Sequence, residues 1–139
     1  MALEERYLVD TNVWLERLLG QSNSDVAGKF FDKIPSNRLF ISDFSLHSIG
    51  VILTRYKYFD LFEDYIIDLF SNAGLIVLSL NGIEHLEIIE NINKYRLDFD
   101  DAYQLTISKK YDLTIVTFDK DFNSPNILSK SPIEILRIN

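Results

Sequence analysis

The sequence predicts an α/β fold built on a mainly parallel sheet with helices on both faces. Three short runs carry that reading, because each is apolar at nearly every position and closes on a polar residue: Tyr7 to Val9 before Asp10, Leu75 to Leu80 before Asn81, and Leu113 to Thr117 before Asp119. Continuous apolar strands of this kind are buried on both faces. Segments of helical period separate them, and strands alternating with helices imply right-handed crossovers. The length agrees: 139 residues without Cys, repeat, low-complexity tract or linker predict a single domain over residues 1–139. Ten Phe and seven Tyr are enough to fill its core without disulfides or zinc.

In chain order, Tyr7 to Val9 is the first strand and a helix follows over about residues 12–19. A second helix covers about 24–34, with Ser24 as its N-cap, and Pro35-Ser36-Asn37 forms a loop. Leu39 to Ile41 is a weaker strand closing on Ser42, and helical period returns over 43–57 and 59–72. After the Leu75 to Leu80 strand, Asn81 caps a helix over 82–94 and Asp98 caps another over 99–110. The strand Leu113 to Thr117 leads to a loop at Asn123 to Pro125. Ile133 to Ile138, rich in β-branched residues, reads as a last, weaker strand.

Charge narrows the function. Fourteen Lys and Arg against 21 Asp and Glu give a net charge of −7, so the surface as a whole repels polyanions. Contact with nucleic acid must then be local or depend on a cation. The opening residues MALEERY carry acids where a signal peptide needs bases, and no apolar run approaches the ~18 residues that span a bilayer. A soluble, cytoplasmic protein without membrane contact is expected.

In open α/β sheets ligands bind beyond the carboxyl ends of the strands. Asp10 stands there, opening Asp10-Thr11-Asn12, and so does Asp119, opening Asp119-Lys120-Asp121. Asp98, Asp100 and Asp101 cluster at the start of the helix that feeds the Leu113 strand. They reach the same end of the sheet only if the chain reverses just before that helix. Each acid has an ordinary use: Asp10 as a cap, Asp98 and Asp101 as favourable charges at a helix start, Asp119 as a turn former. Converging like charges nevertheless repel unless a proton or a cation sits between them. Oxygen ligands, with no Cys and two His, suit Mg²⁺ or Mn²⁺ and not Zn²⁺.

The string Tyr7-Leu8-Val9-Asp10-Thr11-Asn12-Val13-Trp14, followed by Leu97-Asp98-Phe99-Asp100-Asp101-Ala102 and Ile115-Val116-Thr117-Phe118-Asp119-Lys120-Asp121-Phe122, resembles a PIN domain, above all the small proteins that include VapC-type toxins. The resemblance runs from Tyr7 to about Ile138. It implies a three-layer α/β/α fold with five strands in the order 3-2-1-4-5, placing Asp10 beside Asp119 with Asp101 approaching from the preceding helix. It also implies a metal-dependent endoribonuclease whose Mg²⁺ or Mn²⁺ is held by Asp10, Asp101 and Asp119, the catalytic acids, with Asn12, Thr117, Asp98 and Asp121 in support. The implied partners are an RNA substrate, a small antitoxin protein and a second copy in a homodimer. One position departs from the family: a Glu usually stands about six residues past the Ser that ends the second strand, and counting from Ser42 lands on Ser48.

His47 adjoins that vacant position, and His85 lies on a helix with Leu86 and Ile89; both read as structural. The aromatics Tyr56, Tyr58, Phe59, Phe62, Tyr65 and Phe70 exceed what one helix face buries, so core packing or a protein contact accounts for them. Arg17, Lys29, Arg38, Arg55, Lys57 and Lys120 are candidates for a limited basic rim. Two other readings compete with the nuclease. One is a PIN fold that has lost cleavage and serves as a binding or regulatory module, which Ser48 favours. The other is a phosphotransfer receiver domain, which the Ser79-Leu80-Asn81 end of the third strand disfavours.

Overall fold

The computed structural model describes residues 4–138. Four apolar runs form parallel strands, Tyr7–Val9 (β1), Leu39–Ser42 (β2), Ile76–Leu78 (β3) and Thr114–Val116 (β4), and Ser129–Lys130 adds a fifth, β5. Their order is β3-β2-β1-β4-β5, as the resemblance implied. β1 is central, with Tyr7 in register with Leu39 on one side and Thr114 on the other. Every residue of β1 and β4 is buried, which is why both read as unbroken apolar runs. A receiver domain pairs its first strand with its third; here the first pairs with the second and fourth, so that reading is excluded.

The helices are Thr11–Leu18 (α1), Ser24–Lys33 (α2), Asp43–Arg55 (α3), Phe59–Ile66 (α4), His85–Tyr95 (α5), Phe99–Tyr111 (α6) and Pro132–Ile138 (α7). Beyond α4 the chain continues in wider π turns over Ile67–Asn72. Because side chains alternate along a strand, β1 feeds two cores. Tyr7 and Val9 pack with Trp14, Phe30, Ile49 and Ile135 on one side of the sheet. Leu8 packs with Ile88, Leu105, Ile107 and Phe122 on the other. Among the described residues no helix is long and apolar enough to cross a membrane.

One expected element is wrong. Ile133 to Ile138 lies in helix α7 and not in a strand; the fifth strand is the short Ser129–Lys130. The reason is a capping box: Ser131 Oγ accepts from Glu134 N, and Glu134 Oε1 accepts from Ser131 N, both at 3.2 Å, with Pro132 at the first helical position. Local start signals outweigh the β-branched residues, and Ile135 still reaches the core. The caps differ in smaller ways. Asn81 and Glu84 exchange reciprocal bonds of 2.8 and 3.0 Å in the turn leading into α5. Ser24 is the first residue of α2, with Asn23 at the N-cap. Asp98 holds the N-cap position of α6 without making a side-chain cap bond.

The reversal that the acids of α6 require is made at Arg96, in the left-handed conformation at φ 56°. α6 is then buried continuously from Ala102 to Ser108 and tied to α5 by Asn91 Nδ2 donating to Thr106 Oγ1 at 2.9 Å. Such a helix holds its first turn rigidly against the end of the sheet.

Candidate active site

Asp10 follows β1 directly and is only 7% exposed. Its Oδ1 accepts from Thr11 N (2.8 Å) and Gln104 Nε2 (3.0 Å), and its Oδ2 from Thr117 Oγ1 (2.9 Å) and Asn12 Nδ2 (3.5 Å). A carboxylate offers about four acceptor positions, so this shell is nearly complete. Burial pushes the Asp10 carboxyl up from its ordinary value; bonds from Gln104, Thr117 and Thr11 pull it down, the Asp119 charge adds upward, and the balance is a raised pKa.

Thr117 joins the two strand ends. Besides donating to Asp10, its Oγ1 accepts from Asn12 Nδ2 (3.1 Å) and from Asp119 N (2.9 Å), while Asn12 Oδ1 accepts from Phe118 N (3.2 Å). Asp119 Oδ1 accepts from Asp121 N (2.9 Å), closing the turn Lys120–Phe122 that the fully buried Phe122 anchors. The capping and turn-forming uses of Asp10 and Asp119 are therefore both present. They fix the direction in which each acid faces.

From α6, Asp101 comes into the same cavity of about 330 Å³, lined by Asp10, Asn12, Ser48, Asp101, Gln104 and Asp119 among others. Asp101, Asp119 and Asp121 each place a carboxylate oxygen within 4.8 Å of the others. Burial, then the charges of Asp100, Asp10, Asp119 and Asp121, push the Asp101 carboxyl up to about 7. The residues fit a hard divalent cation: the donors are all oxygen, and the crowded charge holds a proton that a cation would displace. Of the acids expected to be ligands, Asp101 and Asp119 belong to the convergent group, and Asp10 stands beside it in its own hydrogen-bonded shell. Asp121, expected in support, belongs to the group, whereas Asp98 does not line the cavity.

Ser48 faces this cavity, so the position without the family's usual acid opens onto the site. Gln104 and Ser45 went unread as site residues in the sequence, while Asp100, read there as one of three acids at a helix start, lines the cavity. His47 is exposed in a hollow with Phe44, Ser48 and Val51 that adjoins the acid cavity but does not line it, and His85 Nδ1 lies 2.9 Å from Asn81 O among the rings of Phe99 and Tyr103, in keeping with a structural part for His85. The expected basic rim is smaller than read. Lys120 flanks Asp119 in an adjoining cleft that also holds Lys130, but Arg17 lies against Gly28 and Arg38 Nε bonds Glu5 O, away from the acids.

Asp101 gives a pH prediction. With a folded-state pKa near 7 against an ordinary 3.8, its ionisation opposes folding. The penalty is absent below about pH 4, grows as pH rises, and is complete above about pH 7. Asp101→Asn should therefore gain stability over wild type between these limits, measured by urea denaturation with chelator present. A difference that stays constant with pH would mean Asp101 is not crowded by the other acids.

The family model of the PIN domain matches residues 7–127. Among solved structures, the chain is similar to one in a toxin-antitoxin complex from Klebsiella pneumoniae (TM-score 0.74, 16% identity, 91% of this chain and 97% of that one). It is also similar to FitAcB from Neisseria gonorrhoeae (TM-score 0.72, 18% identity, 91% and 98% covered). A third is VapC20 of Mycobacterium tuberculosis, described as a sarcin-ricin loop cleaving toxin (TM-score 0.73, 17% identity, 87% and 95% covered). No curated protein matches the sequence.

Proposed function

The chain belongs to the PIN domain family, and from that premise we propose that it is a toxin-type endoribonuclease that hydrolyses RNA phosphodiesters with Mg²⁺ or Mn²⁺. The observation that carries the proposal is the meeting of Asp101, Asp119 and Asp121 beside Asp10 at the carboxyl end of the sheet. Asp101, Asp119 and Asp121 would hold the cation, with Asp10 next to them. When bound, the cation supplies Lewis acidity, neutralising phosphate oxygens and acidifying water. Asp101, which gives up its proton once the cation offsets the crowded charge, would be a carboxylate placed to accept a proton from the attacking water. Thr117 and Asn12 hold Asp10 and the Asp119 backbone in place, and Lys120 offers a positive charge to a flanking phosphate.

The test is single-stranded RNA incubated with Mn²⁺ or Mg²⁺, then with EDTA. Cleavage that stops with EDTA and returns with excess metal is expected. Intact RNA under every metal condition would reject the nuclease and favour a PIN-fold binding module, the reading that Ser48 supports.

The proposal extends to partners, since two of the similar structures are described as a toxin-antitoxin complex and as FitAcB. A groove of about 360 Å³ lined by Trp14, Leu18, Phe31, Leu61, Tyr65 and Leu69 offers an apolar seat for a small antitoxin. Asp64 and Asp68 outnumber Arg17 on its wall, a small bias toward a basic one. Leu61→Asp should abolish inhibition of cleavage by the antitoxin; inhibition that persists would place the contact elsewhere. A homodimer is proposed as well, because Tyr56, Tyr58, Phe59, Ile83 and Leu86 are all exposed. Light scattering that returns a mass near 16.2 kDa would reject it.

A further inference from the structure

Gln104 is 2% exposed and lies one helical turn after Asp101. Its Nε2 donates to Asp10 Oδ1 at 3.0 Å and to Ser45 Oγ at 2.7 Å. Those contacts set the amide's orientation, because the reverse would press its oxygen against a carboxylate oxygen. Its Oε1 is left buried, with no hydrogen-bond partner among the described residues. An acceptor kept in the interior without a donor is costly and uncommon, and is found where something else binds it.

The surroundings of Gln104 give a candidate. Gln104 lines the cavity that holds Asp10, Asp101 and Asp119. Its head group touches Ser45, and Ser48 lies three residues further along α3, on the same helix face, also opening onto the cavity. Gln104 thus stands on the same cavity as Ser48, where the family's usual Glu is missing. Amide oxygens are good ligands for hard cations.

We propose that the Gln104 side-chain oxygen completes the cation's coordination shell, a neutral donor in place of the carboxylate missing at Ser48. The inference rests on the cation reading of the acid cluster. A neutral ligand adds no negative charge to the four aspartates already crowding Asp101. The same amide pins Asp10, so Gln104 couples ligand placement on α6 to the end of β1.

A double-mutant cycle separates ligation from mere support. Mn²⁺ binding is measured by calorimetry for wild type, Gln104→Leu, Ser48→Glu and the double variant, with denaturation curves as the check on folding. Gln104→Leu should weaken Mn²⁺ by about tenfold or more in the Ser48 background. With Glu restored at position 48 the loss should shrink to about twofold, because the two oxygens serve one need. Equal losses in both backgrounds would mean that Gln104 acts only by holding Asp10, and no loss at all would leave it without a part; either overturns the inference. If Gln104→Leu fails to fold, Gln104→Asn decides: it keeps a neutral amide but shortens its reach, and should weaken Mn²⁺ more with Ser at position 48 than with Glu there, whereas equal losses in the two backgrounds overturn the inference. Wild type that binds no Mn²⁺ rejects the cation site itself and this inference with it. Wild type that binds Mn²⁺ as tightly as Gln104→Leu rejects the inference alone.

Discussion

Asp119→Asn is expected to lower RNA cleavage in Mn²⁺ by about 100-fold or more, the scale of losing an aligned charged group at a reacting phosphate. The substitution is nearly isosteric. An Asn oxygen at this position can still accept from Asp121 N, now at 2.9 Å, so the turn over Lys120–Phe122 and its buried Phe122 should survive. What disappears is one charge from the group whose oxygens lie within 4.8 Å of one another. Losing a like charge should leave metal-free stability unchanged or slightly raised, because Asp119 is among the groups that push Asp101 upward. Cleavage rates and urea denaturation, measured side by side, check both halves. A variant that cleaves at the wild-type rate would mean a contaminant or another site.

The second large effect is on folding. Thr117→Val keeps shape but removes the hydroxyl that donates to Asp10 and accepts from Asn12 and Asp119 N, leaving a buried carboxylate one donor short and a backbone N–H unpaired. A loss of about 2 to 4 kcal/mol is expected, since hydrogen bonds to charged groups are worth about 1.5 to 3 and a stranded partner adds to the cost. Thr117→Ser, which keeps the hydroxyl, should lose clearly less. Urea unfolding curves that place Thr117→Val within about 0.5 kcal/mol of wild type would show that the strand ends are held by packing alone.

Most of this architecture was legible because the period of the apolar residues changed between strand and helix. β1 and β4, buried at every position, stood out as unbroken runs, and α6 was marked by three acids before an apolar stretch. The end of the chain misled, because Ile133, Ile135 and Ile138 suggest a strand by residue type while the Ser131–Glu134 capping box starts a helix. At the site, Asp10 and Asp119 could be singled out because motif and strand ends agreed, and Asp101 because it stands among acids at a helix start. Gln104 could not, since a lone amide in a helix carries no pattern; only the partners brought together by α1, α3 and α6 reveal its use. Arg17 and Arg38 show the converse, as sequence gives a charge no direction.

The bond from Thr117 to Asp10 spans 107 positions of the chain. Because the central strand β1 precedes its neighbour β4 by about a hundred residues, it waits for them to be made; at about 5 to 20 residues per second that is on the order of ten seconds. Until then Asp10 can cap its own helix, but Asp119 and Asp121 have not yet been added to the chain. Ring-closure entropy grows only slowly with length, so late docking costs the finished fold little. A nascent or prematurely terminated polypeptide that stops short of Asp119 thus lacks the assembled acid group, and whatever that group binds must wait for the chain to be made past it.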